Sequence, residues 1–252
     1  MEKKLIVIPL AGLSQRFFDE GFSVPKYMLR LNQKTLFYWA VKSFERYFAD
    51  QRFLFICRDI YETKVFIEKS ARELGILNFT VVDLKSKTLG QAHTVQLGLN
   101  AAGVSENEPI VIFNIDTFRP KYEMPDFIRN PLVFGYLECF EGSGSNWSNV
   151  VVEAEGSRRV IRTSEKQNES NLCCTGLYYF STKSEFINCY HSYYFDKISN
   201  LTNEHYIAPI YNVLISQGKI IMVDIIAKSS VIFCGTPNEY YEADGMLLDA
   251  FE

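Results

Sequence analysis

Hydrophobic residues in the first half of the chain form short unbroken runs that alternate with amphipathic segments. The run Leu5–Leu10 is apolar throughout, which is typical of a strand buried on both faces of a parallel sheet. Connections of helix length between such runs imply right-handed crossovers and a parallel sheet. The pattern predicts strands at Leu5–Leu10, 53–57, 79–84 and 109–115, and helices at 35–48, 62–74 and Gln91–Ala101.

The second half is richer in strands and turns. Pro120, Pro125 and Pro131 mark a loop region, and two apolar runs on either side of Glu155-Gly-Ser157 predict a hairpin. No repeat or long linker divides the chain, so we expect one α/β domain over residues 1–252 with a mixed sheet. The predicted elements are strands at 132–140, 150–155, 158–163, 174–180 and Ile220–Ile226, and helices at 183–190, 206–217 and 237–250.

Composition excludes several classes of protein. The 252 residues are 47% hydrophobic and 15% aromatic, which is enough for a full core. The net charge is −4 and the 26 cationic residues are scattered, so we expect no nucleic acid partner. No segment predicts a signal peptide or membrane span, and the six cysteines lack metal or disulfide-scaffold spacing. We therefore expect a reduced cytoplasmic protein.

The loop after the first predicted strand carries the clearest candidate chemistry. Gly12 lets backbone N–H groups approach a phosphate, while Arg16 and Lys26 supply a forked donor and a compact charge. Pro25 fixes the backbone just before Lys26. A merely solvated crossover loop is the alternative, and it would be the better explanation for a lone glycine with an arginine. The strand before this loop and the helix after it favour phosphate binding.

These residues resemble the nucleotidyltransferase family that activates sugar 1-phosphates and related phosphomonoesters. Its opening signature is matched by Pro9-Leu-Ala-Gly12, Arg16 and Pro25-Lys26, with one glycine where many relatives have two or three. Five further segments match the family in the same order along the chain, namely Leu89-Gly-Gln-Ala92, Phe113-Asn-Ile-Asp116, Glu165-Lys166, Thr175-Gly-Leu-Tyr178 and Gly235-Thr-Pro237. Taken alone, each segment has an ordinary explanation as a helix start, a turn cap or a solvated ion pair. Their order over almost the whole chain makes the set specific.

The resemblance implies a Rossmann-like, mainly parallel sheet flanked by helices, with a nucleotide-binding half over 1–118 and a β-rich acceptor-binding half over 119–252. It implies Mg²⁺ held by Asp116, and catalytic roles for Arg16, Lys26 and Asp116. The position where relatives often carry a second metal carboxylate is Phe233, so Asp224 and Glu204 are candidate substitutes. The implied nucleotide-binding residues are Leu10, Ala11, Gly12, Ser14, Gly90 and Gln91, and the implied acceptor-binding residues are Glu165, Lys166, Gly176, Asn149 and Glu204.

The implied reaction transfers a nucleoside monophosphate from a nucleoside triphosphate to a phosphomonoester and releases pyrophosphate. The segments look most like small members from capsule and surface-polysaccharide loci, including cytidylyltransferases, which favours CTP. The acceptor is then a sugar 1-phosphate or a small phosphate such as phosphocholine or phosphoglutamine. Two alternatives stay open: a glycosyltransferase, although Asp116-Thr-Phe118 lacks its Asp-x-Asp, and a catalytically silent nucleotide-binding protein. The oligomeric state is not predicted.

Overall fold

The computed structural model describes residues 3–195 and 204–251, and it forms a mixed sheet with helices on both faces. The strands are β1 (Leu5–Leu10), β2 (Arg30–Leu31), β3 (Lys34–Thr35), β4 (Arg52–Cys57), β5 (Phe79–Asp83), β6 (Ile110–Phe113), β7 (Thr117–Phe118), β8 (Val133–Glu141), β9 (Ser148–Val152), β10 (Val160–Glu165), β11 (Leu172–Phe180), β12 (Ile220–Ile226) and β13 (Ile232–Phe233). The helices are α1 (Gln15–Asp19), α2 (Leu36–Lys42), α3 (Thr63–Glu73), α4 (Gln91–Ala101), α5 (Lys183–Tyr194), α6 (Tyr211–Ser216), α7 (Pro237–Ala243) and α8 (Leu247–Ala250).

The first half of the chain builds the parallel part of the sheet, as predicted. β1 lies between β4 and β6, and β5 pairs with the far side of β4, all in parallel. Parallel strands point their carboxyl ends to one edge, which is where open α/β sheets bind ligands. The loops that follow β1 and β6 therefore meet at the same edge.

The second half adds antiparallel strands to this sheet. β11 pairs antiparallel with β6 on one side and with β8 on the other, and β12 pairs parallel with β8. The β11–β8 register shifts between Cys174 and Tyr178, which bends β11 beside the end of β6. β9 and β10 form the expected antiparallel hairpin and join the sheet through β9. The strand-rich second half is confirmed.

Alternate residues of β1 enter two separate hydrophobic clusters, one on each face of the sheet. Ile6 and Ile8 belong to the cluster that packs under α1, α2, α3, α7 and α8. Leu5 and Val7 belong to the cluster that packs under α4, α5 and α6. This two-sided burial explains why the β1 sequence is apolar at every position.

Four predicted helices differ from the structure, and one of them, α5, ends at Tyr194 instead of 190. α2 ends at Lys42 rather than near residue 48, and Ser43 Oγ turns back to donate to the Trp39 carbonyl at 3.3 Å, a bond that disfavours helix continuation. The predicted 206–217 helix begins as a single 3₁₀ turn at Ala208–Ile210, with Pro209 in its first turn, and is α-helical only from Tyr211. The predicted terminal helix is split into α7 and α8 around Gly245, a weak helix former.

The buried face of α3 also differs from its prediction. The spacing of Val65, Phe66, Lys69 and Leu74 in the sequence predicts a partly buried face; Phe66 and Leu74 do pack against the core, but Val65 is 65% exposed. The buried positions are Thr63, Ile67 and Ala71, which follow one another at a spacing of four. Within residues 3–195 and 204–251, no helix has the length and apolar character needed to cross a membrane.

Candidate active site

The loops after β1 and β6 bring a lysine and an aspartate into direct contact. Lys26 Nζ donates to Asp116 Oδ2 at 2.5 Å, and about a fifth of each side chain is exposed. Ser14 fixes the lysine from the other side of its loop, because the Lys26 backbone N–H donates to Ser14 Oγ at 3.0 Å. Two predicted catalytic residues, 90 positions apart, therefore meet at the carboxyl edge of the sheet.

A cleft of about 510 Å³, the nucleotide-side cleft, opens on one side of this ion pair. Its wall is formed by the backbone after β1 and by the segment before α4. Within it, the structure brings together all the residues that the resemblance assigned to the nucleotide: Leu10, Ala11, Gly12, Ser14, Gly90 and Gln91.

Gly90 allows a second segment of chain to approach this cleft. Its backbone (φ 135°, ψ −174°) is accessible essentially only to glycine. A Cβ there would lie 2.6 Å from the His205 nitrogen and 2.7 Å from the His205 oxygen. The His205 N–H donates to the Leu89 carbonyl and the Ala92 N–H donates to the His205 carbonyl, so the two segments pair closely. The glycine thus has a packing reason as well as the predicted position in the cleft.

Asn114 is a site residue that the sequence analysis quoted within a motif but did not assign. Its side-chain oxygen accepts a hydrogen bond from Gln91 Nε2, and its backbone N–H donates to the Gly176 carbonyl at 3.1 Å. A Cβ on Gly176, whose φ is 97°, would collide with the Asn114 side chain. Asn114 therefore ties the predicted nucleotide and acceptor segments together. The sequence feature that could have identified Asn114 as a site residue is its position two residues before Asp116.

A second cleft, of about 340 Å³, opens on the other side of Asp116 and is the acceptor-side cleft. Four predicted acceptor residues line it, namely Glu165, Lys166, Gly176 and Glu204. Arg16 also lines this cleft, so its side chain lies on the side of Asp116 away from the β1 loop. Four residues are shared by both clefts: Gln91, Asn114, Asp116 and Glu204.

The acceptor-side wall combines carboxylates with aromatic rings. Burial raises the pKa of Glu165, which hydrogen-bonds the Ser148 hydroxyl. Lys166 Nζ lies 4.7 Å from the centre of the Tyr206 ring and hydrogen-bonds its hydroxyl, which in turn donates to Glu204. The sequence signal for this wall was the Glu165-Lys166 pair. The Tyr206 contact, 40 positions away along the chain, could not be inferred from it.

Two candidate residues lie away from these clefts. Asn149 is fully buried, and its amide nitrogen donates to the Leu172 carbonyl at 3.4 Å, so it packs between β9 and β11 instead of lining the acceptor cleft. Asp224 is half-buried on β12 near Arg119 and Arg158, where burial raises its pKa. Neither lines either of the two clefts. Glu204, the other candidate metal carboxylate, lines both.

Phe233 belongs to an aromatic cluster at the edge of the acceptor-side cleft. Its ring centre lies 4.6 Å from that of Trp147 and 5.2 Å from that of Phe140. The structure thus places an apolar contact where relatives often carry a second metal carboxylate.

Residues near the end of the chain close the site around Asp116. The Cys234 N–H donates to the Asp116 carbonyl at 2.8 Å, and β13 pairs with β7 directly after Asp116. Glu239 Oε2 accepts from the N–H groups of Gly235 and Thr236, both at 2.9 Å, and completes a capping box at the start of α7. Glu239 lines the acceptor-side cleft and was missed by the sequence analysis, because a capping glutamate looks purely structural.

A mixed sheet with a glycine-containing loop after its first strand and an aspartate after a neighbouring strand is typical of α/β proteins that bind nucleotides at the carboxyl ends of their strands. One solved structure makes the class specific. The nucleoside-diphosphate-sugar pyrophosphorylase of Vibrio cholerae RC9 is 46% identical, with a TM-score of 0.90 over 94% of this chain and 98% of that one. The chain therefore belongs to the sugar-phosphate nucleotidyltransferase family, as its sequence predicted.

More distant structures share the fold. The inositol-1-phosphate CTP transferase of T. maritima has a TM-score of 0.73 at 18% identity, covering 98% of this chain and 96% of that one. A UDP-glucose pyrophosphorylase solved with UDP-glucose has a TM-score of 0.72 at 21% identity, covering 96% and 97% of the two chains. No protein-family model and no curated protein matches the chain.

Proposed function

We propose that the protein transfers a nucleoside monophosphate from a nucleoside triphosphate, with CTP preferred, to a phosphomonoester acceptor and releases pyrophosphate. The observation that carries the proposal is the Lys26–Asp116 pair, because Asp116 lines both the nucleotide-side and the acceptor-side cleft. A reaction that joins two phosphates needs its charged groups at such a junction. The product is proposed to be an activated precursor for a capsule or surface polysaccharide.

In the proposed step, a phosphate oxygen of the acceptor attacks the α-phosphorus of the triphosphate. A bond forms between that oxygen and the α-phosphorus, and the bond from the α-phosphorus to the bridging oxygen breaks, so that pyrophosphate departs. The acceptor phosphate is already anionic near neutral pH, which removes the need for a strong general base. Catalysis then consists of positioning and charge stabilisation.

Three cationic side chains stabilise charge in this step. Lys26 stabilises charge on the α-phosphate, and its loop is fixed by Ser14. Arg16 lines the acceptor-side cleft, where its forked guanidinium is placed to stabilise the incoming acceptor phosphate. Lys166 lines the same cleft and holds the acceptor phosphate.

The residues present fit a bound Mg²⁺. This ion prefers oxygen ligands, retains several waters and binds through one or two carboxylates plus substrate phosphates. Asp116 supplies such a carboxylate between the two clefts. No group of three or more histidine, cysteine, aspartate or glutamate side chains is placed to hold a metal within 3–195 and 204–251. Bound there, Mg²⁺ would neutralise charge on the transferred phosphate.

The acceptor is proposed from the chemistry of its cleft. Glu165 and Glu204 offer carboxylates, and Trp147, Tyr178 and Tyr206 offer aromatic faces. Carboxylates bind sugar hydroxyls, and together with aromatic faces they bind ammonium groups. The proposed acceptors are therefore a sugar 1-phosphate or a small phosphate with a nitrogen-bearing head, such as phosphocholine or phosphoglutamine.

A substrate matrix tests the proposal. The four ribonucleoside triphosphates are paired with glucose 1-phosphate, mannose 1-phosphate, phosphocholine, phosphoglutamine and 3,3-dimethylbutyl phosphate, with Mg²⁺, and pyrophosphate release is measured. We expect one strong pair, with CTP as its triphosphate. The dimethylbutyl ester is an isostere of phosphocholine whose head group is uncharged, so its failure alongside active phosphocholine would identify an ammonium site. Silence across the matrix would contradict the proposed function, and a strong pair with another triphosphate would contradict the CTP preference.

A further inference from the structure

A buried ion pair lies behind the proposed catalytic edge and takes no part in the step described above. Glu138 on β8 is fully buried, and it is the one carboxylate in the described residues enclosed to that degree. Arg119 Nε donates to Glu138 Oε2 at 2.9 Å, and Thr175 Oγ1 donates to Glu138 Oε1, also at 2.9 Å. The two charged side chains are 13% and 1% exposed.

Arg119 and Thr175 belong to the two segments that hold Asp116 in place. Arg119 lies three residues after Asp116, and its own backbone N–H donates to Ser43 Oγ at 2.8 Å. Thr175 lies on β11, and its carbonyl accepts from Thr117 Oγ1 at 3.2 Å. Glu138 thus accepts hydrogen bonds from Arg119, just after Asp116 in the chain, and from Thr175 on β11, whose carbonyl bonds to Thr117.

The same segment is fixed at its other end. The Asn114 N–H donates to the Gly176 carbonyl, and Gly176 directly follows Thr175. Asp116 therefore lies on a short stretch of chain that is anchored before it through Gly176 and after it through Arg119. Its carboxylate has little freedom to move relative to the two clefts.

Stability alone does not explain this pair. Burial raises the pKa of Glu138, and Arg119 and Thr175 offset part of that penalty. Buried ion pairs can often be replaced by apolar residues of similar size with no loss of stability, although removal of one partner is strongly destabilising. The pair is therefore better explained by what its hydrogen bonds hold in place.

We propose that Glu138 and Arg119 are positioning residues that set the placement of Asp116 between the nucleotide-side and acceptor-side clefts. The proposal rests on the role of Asp116 in the proposed function. It means that the pair affects turnover through geometry, without touching substrate.

The decisive variant is Glu138→Leu combined with Arg119→Met, which removes both charges together and keeps the volume. We expect the melting temperature to stay near that of the parent, while kcat falls 10- to 100-fold, because a displacement on the order of 1 Å can cost about 100-fold in rate. KM for the triphosphate should change less than threefold, since neither residue lines its cleft. A double variant that keeps both the melting temperature and the kcat of the parent would overturn the proposal and leave the pair purely structural.

Single variants and a matched control complete the test. Glu138→Gln keeps the shape and the Thr175 bond but leaves Arg119 without its charged partner, and we expect a lower kcat. Glu106→Gln removes the partner of Lys183, another buried cation, at 2.7 Å. Neither Glu106 nor Lys183 lines the two clefts, so we expect a lower melting temperature and an unchanged kcat.

The outcomes separate this proposal from the proposed function. A parent enzyme that releases no pyrophosphate in the substrate matrix contradicts the function itself, and with it the role of Asp116. A parent that turns over, with an unchanged kcat in Glu138→Gln, contradicts only the positioning role. A similar loss of kcat in Glu106→Gln would also contradict it, because a general loss of stability would then explain both.

Discussion

Replacement of Gly90 by alanine places a methyl group where two segments of the nucleotide-side cleft touch. The added Cβ would lie 2.6 and 2.7 Å from backbone atoms of His205, and these atoms cannot rotate away as a side chain could. An ordinary contact requires a shift of about 0.8 Å in the wall of the nucleotide-side cleft, and each loss of about 1.4 kcal/mol of binding free energy raises a dissociation constant tenfold. We therefore expect the dissociation constant for the triphosphate to rise about 10- to 100-fold.

The backbone conformation adds a separate penalty. At φ 135° and ψ −174°, a residue with a side chain is strained by about 1–3 kcal/mol. In a chain of this size, each kcal/mol lowers the melting temperature by about 2–4 °C, so we expect a fall of about 2–12 °C. Calorimetric titration with the preferred triphosphate and a thermal melt measure the two effects on one sample.

Gly144→Ala is the matched control. Its φ is 123°, but the nearest atoms to an added Cβ are ring atoms of Trp147 at 3.8 Å, which is ordinary contact. We expect strain in the melt and no change in triphosphate affinity. If Gly90→Ala binds the triphosphate within threefold of the parent, the close pairing of the Gly90 and His205 segments is not needed for the nucleotide site, and the reasoning is refuted.

Three further predictions concern charge and capping. Lys26→Met should lower kcat by about 10²- to 10³-fold in the pyrophosphate assay, because charge stabilisation beside Asp116 is lost, and a parent-like kcat would contradict the mechanism. Burial raises the pKa of Glu165, so its carboxylate form is lost on acidification at a higher pH than for an ordinary glutamate; KM for the acceptor should rise about tenfold as pH falls through that pKa, and Glu165→Gln should show a high KM that does not vary with pH. Thr236→Ala removes the cap bond to the Glu239 N–H and should destabilise the fold by about 1 kcal/mol, measured by denaturant titration, with a smaller effect on kcat than Lys26→Met.

The fold was readable where the sequence pattern reports burial directly. Leu5–Leu10 lies between two strands and under helices on both faces, so every position is apolar and the strand is unmistakable. Val65 shows the limit of the same reasoning, because hydrophobicity at one position does not fix the rotation of a helix against the sheet. The shortened α2 and the split terminal helix were missed because Ser43 and Gly245 act through local backbone geometry.

The candidate site was predicted in part for a similar reason. Lys26 and Asp116 follow strands of the parallel sheet, and topology alone brings such residues to one edge. The resemblance implied that Asn149 binds the acceptor, but the alternation of β9 turns its side chain into the protein interior. Glu239 and Tyr206 entered the acceptor-side cleft through contacts between distant segments, which no local pattern encodes.

The pairing of β13 with β7 has a consequence for the order in which the enzyme becomes active during synthesis. The parallel strands β1, β4, β5 and β6 are complete by residue 113, but the Asp116 carbonyl finds its partner only at Cys234, and Glu239 arrives later still. A nascent chain can therefore form most of its core while its reaction centre is still open. Until about residue 239 has left the ribosome, a bound triphosphate would meet an incomplete site, so activity should appear abruptly and late in translation rather than in proportion to chain length.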